Sequence, residues 1–168
     1  MTADQILGST SRSGEVEDWL GTVAPALLAY FVRRVTPPDE AADLLGEALL
    51  VLWRRADAIP DEERAARMWA FGIARNVLRG HRRTSRRRSA LANRLRAELA
   101  ASDGLAHPAD VRVLDLRSAL ERLKPIDQEI VRLVHWDGLS LVEVAELLGK
   151  SEGTVRSRYH RARSSLRR

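Results

Sequence analysis

Apolar residues along this chain recur at intervals of three and four, and no stretch alternates with the period of two that a half-buried strand needs. Leu20, Val23, Leu27 and Phe31 outline a first helix over residues 16–35, with a break predicted at Pro25 and an end at Thr36-Pro37-Pro38. Asp39 is placed to cap a second helix, from Glu40 to about Ala56, in which Leu44, Ala48 and Leu52, with Leu45 and Leu49 beside them, make a wide apolar band. After the loop at Ile59-Pro60-Asp61, Trp69, Ile73 and Val77 mark the inward face of a third helix over Arg64 to Arg83. Composition then shifts to Arg, Ala, Ser and Asp, with Gly104 and Pro108 near its end, while Leu91, Leu95 and Leu99 still step by four. Val113, Leu116, Leu120 and Leu123 begin a second periodic block, interrupted at Lys124-Pro125 and resumed from Ile126 to His135.

The last stretch carries the sharpest local signals. Ser140 followed three residues later by Glu143 has the form of a capping box, Gly149 ends that helix, and Ser151 is a second N-cap. Two helices joined by so short a glycine-containing turn predict a helix-turn-helix, with Ala145 small enough to let them cross closely. On the second helix Val155, Tyr159, Ala162 and Leu166 form the inward stripe, so Thr154, Arg156, Ser157, His160 and Arg161 face out. Guanidiniums and hydroxyls on one exposed face suit the edges of bases in a major groove. Gly149-Lys150-Ser151 mimics the end of a phosphate loop, but the glycine required five positions earlier is Val144.

The pattern therefore predicts an all-α protein of two small helical domains: a disordered leader at 1–15, a first domain at 16–83, a partly helical linker at 84–110, and a helix-turn-helix domain at 111–168. Charge sharpens this picture. Lys plus Arg number 28 against 23 acids, a net +5, and the arginines crowd into 79–88 and 156–168 while acids dominate 39–47 and 61–63. Arg75, Arg79, Arg82 and Arg86 fall on one face of the third helix and run into Arg87-Arg88, one polyanion-binding edge. A membrane surface is the poorer match, because the bulky apolar residues of that helix belong to its core face. Asp43 and Glu47 stand one turn apart off the apolar band, as surface charges or a dock for a basic partner.

Other classes are disfavoured. The chain has no cysteine, which suits a reducing cytoplasm, and neither a signal peptide nor a run of roughly 20 apolar residues to enter a membrane. His81, His107, His135 and His160 lie on separate segments without metal-ligand spacing, and no catalytic constellation or cofactor site is expected. The rival within DNA binding is a homodimeric operator-binding regulator, for which no long heptad or sensor module appears.

Several blocks resemble the group 4, or extracytoplasmic function, sigma factors of bacterial RNA polymerase. Ala41-Ala42-Asp43-Leu44-Leu45-Gly46-Glu47 through Leu50-Val51-Leu52-Trp53-Arg54 is similar to their region 2.2, and Trp69-Ala70-Phe71-Gly72-Ile73-Ala74-Arg75-Asn76 with the basic run to regions 2.3 and 2.4. Leu123-Lys124-Pro125 and Gly138 through Arg158, with Arg161-Ala162-Arg163, are similar to region 4. The resemblance implies a region 2 helical bundle that recognises and melts the −10 element and a region 4 helix-turn-helix on the −35 element. It implies that Asp43, Leu44 and Glu47 bind the core polymerase, that Arg75, Asn76, Arg79, Arg82 and Arg83 act at the −10 element, and that Thr154, Arg156, Ser157, His160 and Arg161 read the −35 element. It also implies promoter DNA and an anti-sigma factor as partners, and no cofactor. Ala42 and Gly46 depart from the acid and the glutamine usual beside Asp43 and Glu47.

Overall fold

The computed structural model describes the backbone of residues 3–99 and 118–167 and the side chains of 14–87 and 118–167, and every regular element among them is helical. The chain divides into two compact units, 1–88 and 89–168.

The first unit is built from α1 (Ala3–Val32), α2 (Glu40–Arg54), a single 3-10 turn at Ala56–Ala58, and α3 (Glu63–Leu99) up to residue 88. Its interior is closed by Leu27, Tyr30 and Phe31 of α1, Ala41, Leu44, Ala48 and Leu52 of α2, and Ala66, Ala70, Phe71 and Ala74 of α3, all essentially inaccessible. Alanines at these crossings let the backbones approach, and the space that remains is filled by three rings. Tyr30 meets Phe31 edge-on at 5.5 Å and Phe71 edge-on at 5.7 Å. At the rim, Trp19 and the half-buried Trp69 lie 6.4 Å apart. On α3, Ile73 and Val77 are buried as the periodicity predicts while Trp69 is half-buried, and Ala70, Phe71, Ala74 and Leu78 beside them are less accessible still. Alanine adds little to a hydrophobic pattern but marks the closest contact.

Three boundaries differ from expectation. Helix α1 runs through Pro25 without a break, because Pro25 and Gly21, whose carbonyl loses its partner, are both exposed and water can take the bond. It also begins at Ala3, where composition predicts a disordered leader. Once a helix is nucleated by packing, further turns add a bond for each residue fixed, and no proline lies between Ala3 and Val16 to break one. Helix α3 likewise ends later than predicted, continuing past Arg83 to Leu99, and the helical part expected in the linker is a continuation of it. Residues 100–117, including Val113 and Leu116, lie outside the described residues.

Capping in this unit also departs from the sequence signals. Asp39 makes no side-chain cap; the first amides of α2 are taken by the preceding turn, with Glu40 donating to Pro37 at 3.2 Å and Ala41 to Pro38 at 2.9 Å. The carboxylate of Glu62 caps α3 instead, accepting from the amides of Arg64 at 3.2 Å and Ala65 at 2.8 Å. At the end of α1, the buried Arg34 folds back, its guanidinium 3.8 Å over the Tyr30 ring and donating to the Tyr30 carbonyl at 3.0 Å.

The second unit contains a helix end at 118–121, then α4 (Pro125–His135), α5 (Leu141–Leu148) and α6 (Glu152–Leu166). Ile130, Leu133, Leu139, Val144, Ala145 and Val155 are buried together with a cluster of Leu120, Val131 and Ala162, on which Leu123 and Leu166 pack. Pro125 opens α4 at a position where its missing N–H costs nothing. Gln128 donates from its side chain to the Leu123 carbonyl at 2.9 Å and so ties the preceding turn to α4.

Candidate nucleic-acid interface

The helix-turn-helix is assembled by local hydrogen bonds that the sequence announces. Ser140 Oγ accepts from the Glu143 amide at 3.3 Å while the Ser140 amide donates to Glu143 Oε2 at 2.7 Å, so both halves of the capping box are present. Gly149 sits at φ +61°, and the bonds Gly149 N–H to Glu146 O and Lys150 N–H to Ala145 O complete a Schellman ending. Ser151 Oγ accepts from the Thr154 amide at 3.3 Å and starts α6. Ser140→Ala is expected to lower the stability of this unit by about 0.5–2 kcal/mol, read as a lower midpoint in urea unfolding followed by far-UV circular dichroism.

On α6, all five predicted outward residues, Thr154, Arg156, Ser157, His160 and Arg161, are exposed. Thr154 Oγ1 lies 2.8 Å from Ser151 Oγ, so its hydroxyl is shared with the cap. Ser164 and Ser165 join His160 and Arg161 in lining a shallow recess on the same helix. Their spacing of three and four from Arg161 is the signal that would have added them to the site. Arg158 and Tyr159 turn the other way: Arg158 Nη1 meets Asp127 Oδ1 at 3.0 Å, and the Tyr159 hydroxyl shares a hydrogen bond with His135 Nε2 at 3.0 Å.

In the first unit, Arg75, Arg79, Arg82 and Arg86 fall within about 60° of one another on α3 and extend over roughly 16 Å, with Asn76 and Arg83 on the adjoining sector. All are exposed except Arg75, half-buried where the stripe borders Phe71. His81 lies on the opposite side and reaches Glu40 of α2 at 3.0 Å. The arginines therefore present donors to solvent along a helix with no apolar residue among them, a geometry that follows a phosphate backbone.

On α2, Asp43 and Glu47 are exposed one turn apart, as predicted. Leu44 is not on that surface. It is 4% exposed and belongs to the core, because it shares a face with Ala48 and Leu52. The apolar surface beside the acids is supplied by Leu50, 57% exposed, and Trp53, 41% exposed. Among the described residues no three metal-ligating side chains gather, and no helix is long and apolar enough to cross a membrane.

Residues 20–88 match the family described as sigma-70 region 2, and residues 114–166 the family described as sigma-70, region 4. The chain belongs to the sigma-70 family. It is 30% identical over 148 residues to the ECF RNA polymerase sigma factor SigL of Mycobacterium tuberculosis, covering 86% of this chain and 82% of that protein. It is 34% identical over 153 residues to the RNA polymerase sigma-E factor of Streptomyces avermitilis, covering 91% and 83%. Among solved structures, it matches the sigma factor RpoE of Bartonella quintana, crystallised with the anti-sigma factor NepR, at a TM-score of 0.70 and 26% identity over 90% of this chain and 94% of that one. This sigma factor is a transcription initiation factor, in a family of transcription factors and not of enzymes. The region 2 match contains α2 and the arginine stripe of α3; the region 4 match contains the helix-turn-helix. An operator-binding dimer leaves the region 2 match without a role.

Proposed function

We propose that the work of this sigma factor divides among three helices. Helix α2 docks on the core polymerase through Asp43, Glu47 and Leu50. Helix α3 takes the −10 element, with Arg75, Arg79, Arg82 and Arg83 on the phosphates of the strand being opened and Asn76 at a base. Helix α6 reads the −35 element through Arg156, Ser157, His160 and Arg161, with Thr154 at its N-terminal end. The observation that carries this division is the segregation of surface character: exposed acids beside exposed apolar residues on α2, an arginine row on α3, and arginines with hydroxyls and an imidazole on α6. A basic protein surface suits the first and a polyanion suits the other two. Binding energy alone opens the strand when a single strand and an extruded base are captured, so no cofactor enters. The protein acts in the cytoplasm with its polymerase, and an anti-sigma factor holds it, by analogy with the Bartonella complex.

The test is run-off transcription with bacterial core polymerase on promoters from the source genome. Arg161→Ala is expected to lower transcription from a −35-dependent promoter by about 10-fold, since one specific arginine contact carries roughly 1–3 kcal/mol. Transcription indifferent to both Arg161 and the −35 sequence would remove α6 from −35 recognition, and no transcript together with a duplex shift by the protein alone as a dimer would replace this reading with the operator-binding one.

A further inference from the structure

Arg158 stands inside a basic stretch of the chain, between Ser157 and Tyr159, and by composition it counts as one more phosphate ligand. Its geometry says otherwise. Seen down α6, the buried pair Val155 and Ala162 define the inward direction, and Arg158 and Tyr159 flank that direction on opposite sides, roughly 40–60° away. Each flank is tied to α4. Arg158 Nη1 lies 3.0 Å from Asp127 Oδ1, with the two side chains 31% and 17% exposed. The Tyr159 ring stacks on His135 at 5.8 Å, and its hydroxyl bonds His135 Nε2 at 3.0 Å. Asp127 is in the first turn of α4 and His135 in its last, so the ties are separated by eight residues, or about 12 Å.

Buried apolar contacts at Val155 and Ala162 hold α6 against the unit, but the hydrophobic effect is non-directional and the two side chains are small, so they constrain its roll less sharply than directional polar contacts do. Two polar ties on opposite flanks remove that freedom. A roll of roughly 20° carries an arginine tip at about 8 Å from the axis through about 3 Å, enough to lose a hydrogen bond. Recognition groups need to be held far more closely than that.

We propose that Arg158 is a positioning residue for −35 recognition, locked to Asp127 so that it sets, together with Tyr159 and His135, the azimuth of Arg156, Ser157, His160 and Arg161. The proposal rests on the reading of α6 given above. The two roles for Arg158 predict opposite things of its partner. If Arg158 were a phosphate ligand, removing Asp127 would release it toward DNA and remove a negative charge, so binding would hold or strengthen. If Arg158 positions α6, losing Asp127 is as harmful as losing Arg158.

The experiment uses full-length protein with core polymerase and measures transcription from a promoter with its −35 element intact, divided by transcription from the same promoter with that element scrambled. Arg158→Ala and Asp127→Ala are each expected to lower this ratio about fivefold or more, with transcription from the scrambled promoter unchanged. The exchange Asp127→Arg with Arg158→Asp, which leaves net charge as it was, is expected to restore at least half of the loss. Tyr159→Phe and Asp127→Asn keep volume and fold, and are expected to give losses of about twofold to threefold. A ratio that falls with Arg158→Ala but holds or rises with Asp127→Ala, or that the exchange fails to restore, overturns the positioning role. So does a ratio that depends on Arg161 but is indifferent to Asp127. A wild-type ratio of one overturns the reading of α6 itself, and this proposal with it.

Discussion

Reversing both acids on the exposed face of α2, with Asp43→Arg and Glu47→Arg together, is expected to abolish transcription and to weaken binding to core polymerase by more than about 100-fold. Both carboxylates are exposed on a folded helix, so the fold has little need of them. The cost at home is confined to the first turn, where an acid at Asp43 complements the helix dipole by about 0.3–1 kcal/mol. The cost at a basic partner is larger, because attraction is replaced by like charges set against each other, which costs several kcal/mol. Affinity measured with labelled core enzyme, alongside a thermal melt, separates the two effects. An unchanged affinity would move the docking surface off α2.

Phe71→Ala is expected to remove a large share of the stability of the first unit. Phe71 is fully buried, edge-on to Tyr30 at 5.7 Å with an interplanar angle of 83°, and Arg67 lies over its ring at 5.3 Å. Emptying such a site costs about 3–5 kcal/mol, against a total of only about 5–15 kcal/mol for a small domain. In a domain of this size that corresponds to a midpoint lower by more than about 10 °C. A thermal melt of the intact chain followed by far-UV circular dichroism reads this directly, and a fall of less than 3 °C, about 0.5 kcal/mol, would show that the core is not centred on this ring.

What could be read from the chain differed between its halves for a physical reason. In the second unit each boundary is written in residues with specific backbone chemistry: Ser140 with Glu143, Gly149, and Ser151. These act over three or four residues, so local sequence suffices, and the outward face of α6 followed correctly. In the first unit the decisive features depend on distant neighbours. Periodicity already set Leu44 in the apolar band with Ala48 and Leu52, where the structure buries it; only the family resemblance put it on the docking surface. Pro25 looked like a break, yet it and Gly21, whose carbonyl it deprives of a donor, are both exposed, so water can take the bond. Asp39 had the right identity for a cap, while the turn through Pro37 and Pro38 had already satisfied the amides. Glu62, which does cap α3, is a less usual choice at that position. The inward turn of Arg158 was equally hidden, since its partner is 31 residues away.

The rings already described give the chain its own optical reporters. Its four tryptophans are Trp19, Trp53, Trp69 and Trp136. Trp19 and Trp69 form the pair 6.4 Å apart at the rim of the first core, close enough for their excited states to couple. Trp53 stands beside the acidic face of α2, and Trp136, 42% exposed, closes α4 in the other unit. Keeping the Trp19–Trp69 pair, Trp53 alone or Trp136 alone therefore yields three separate emission channels without any attached dye: one for the integrity of the first core, one for desolvation at the docking face, and one for the helix-turn-helix unit.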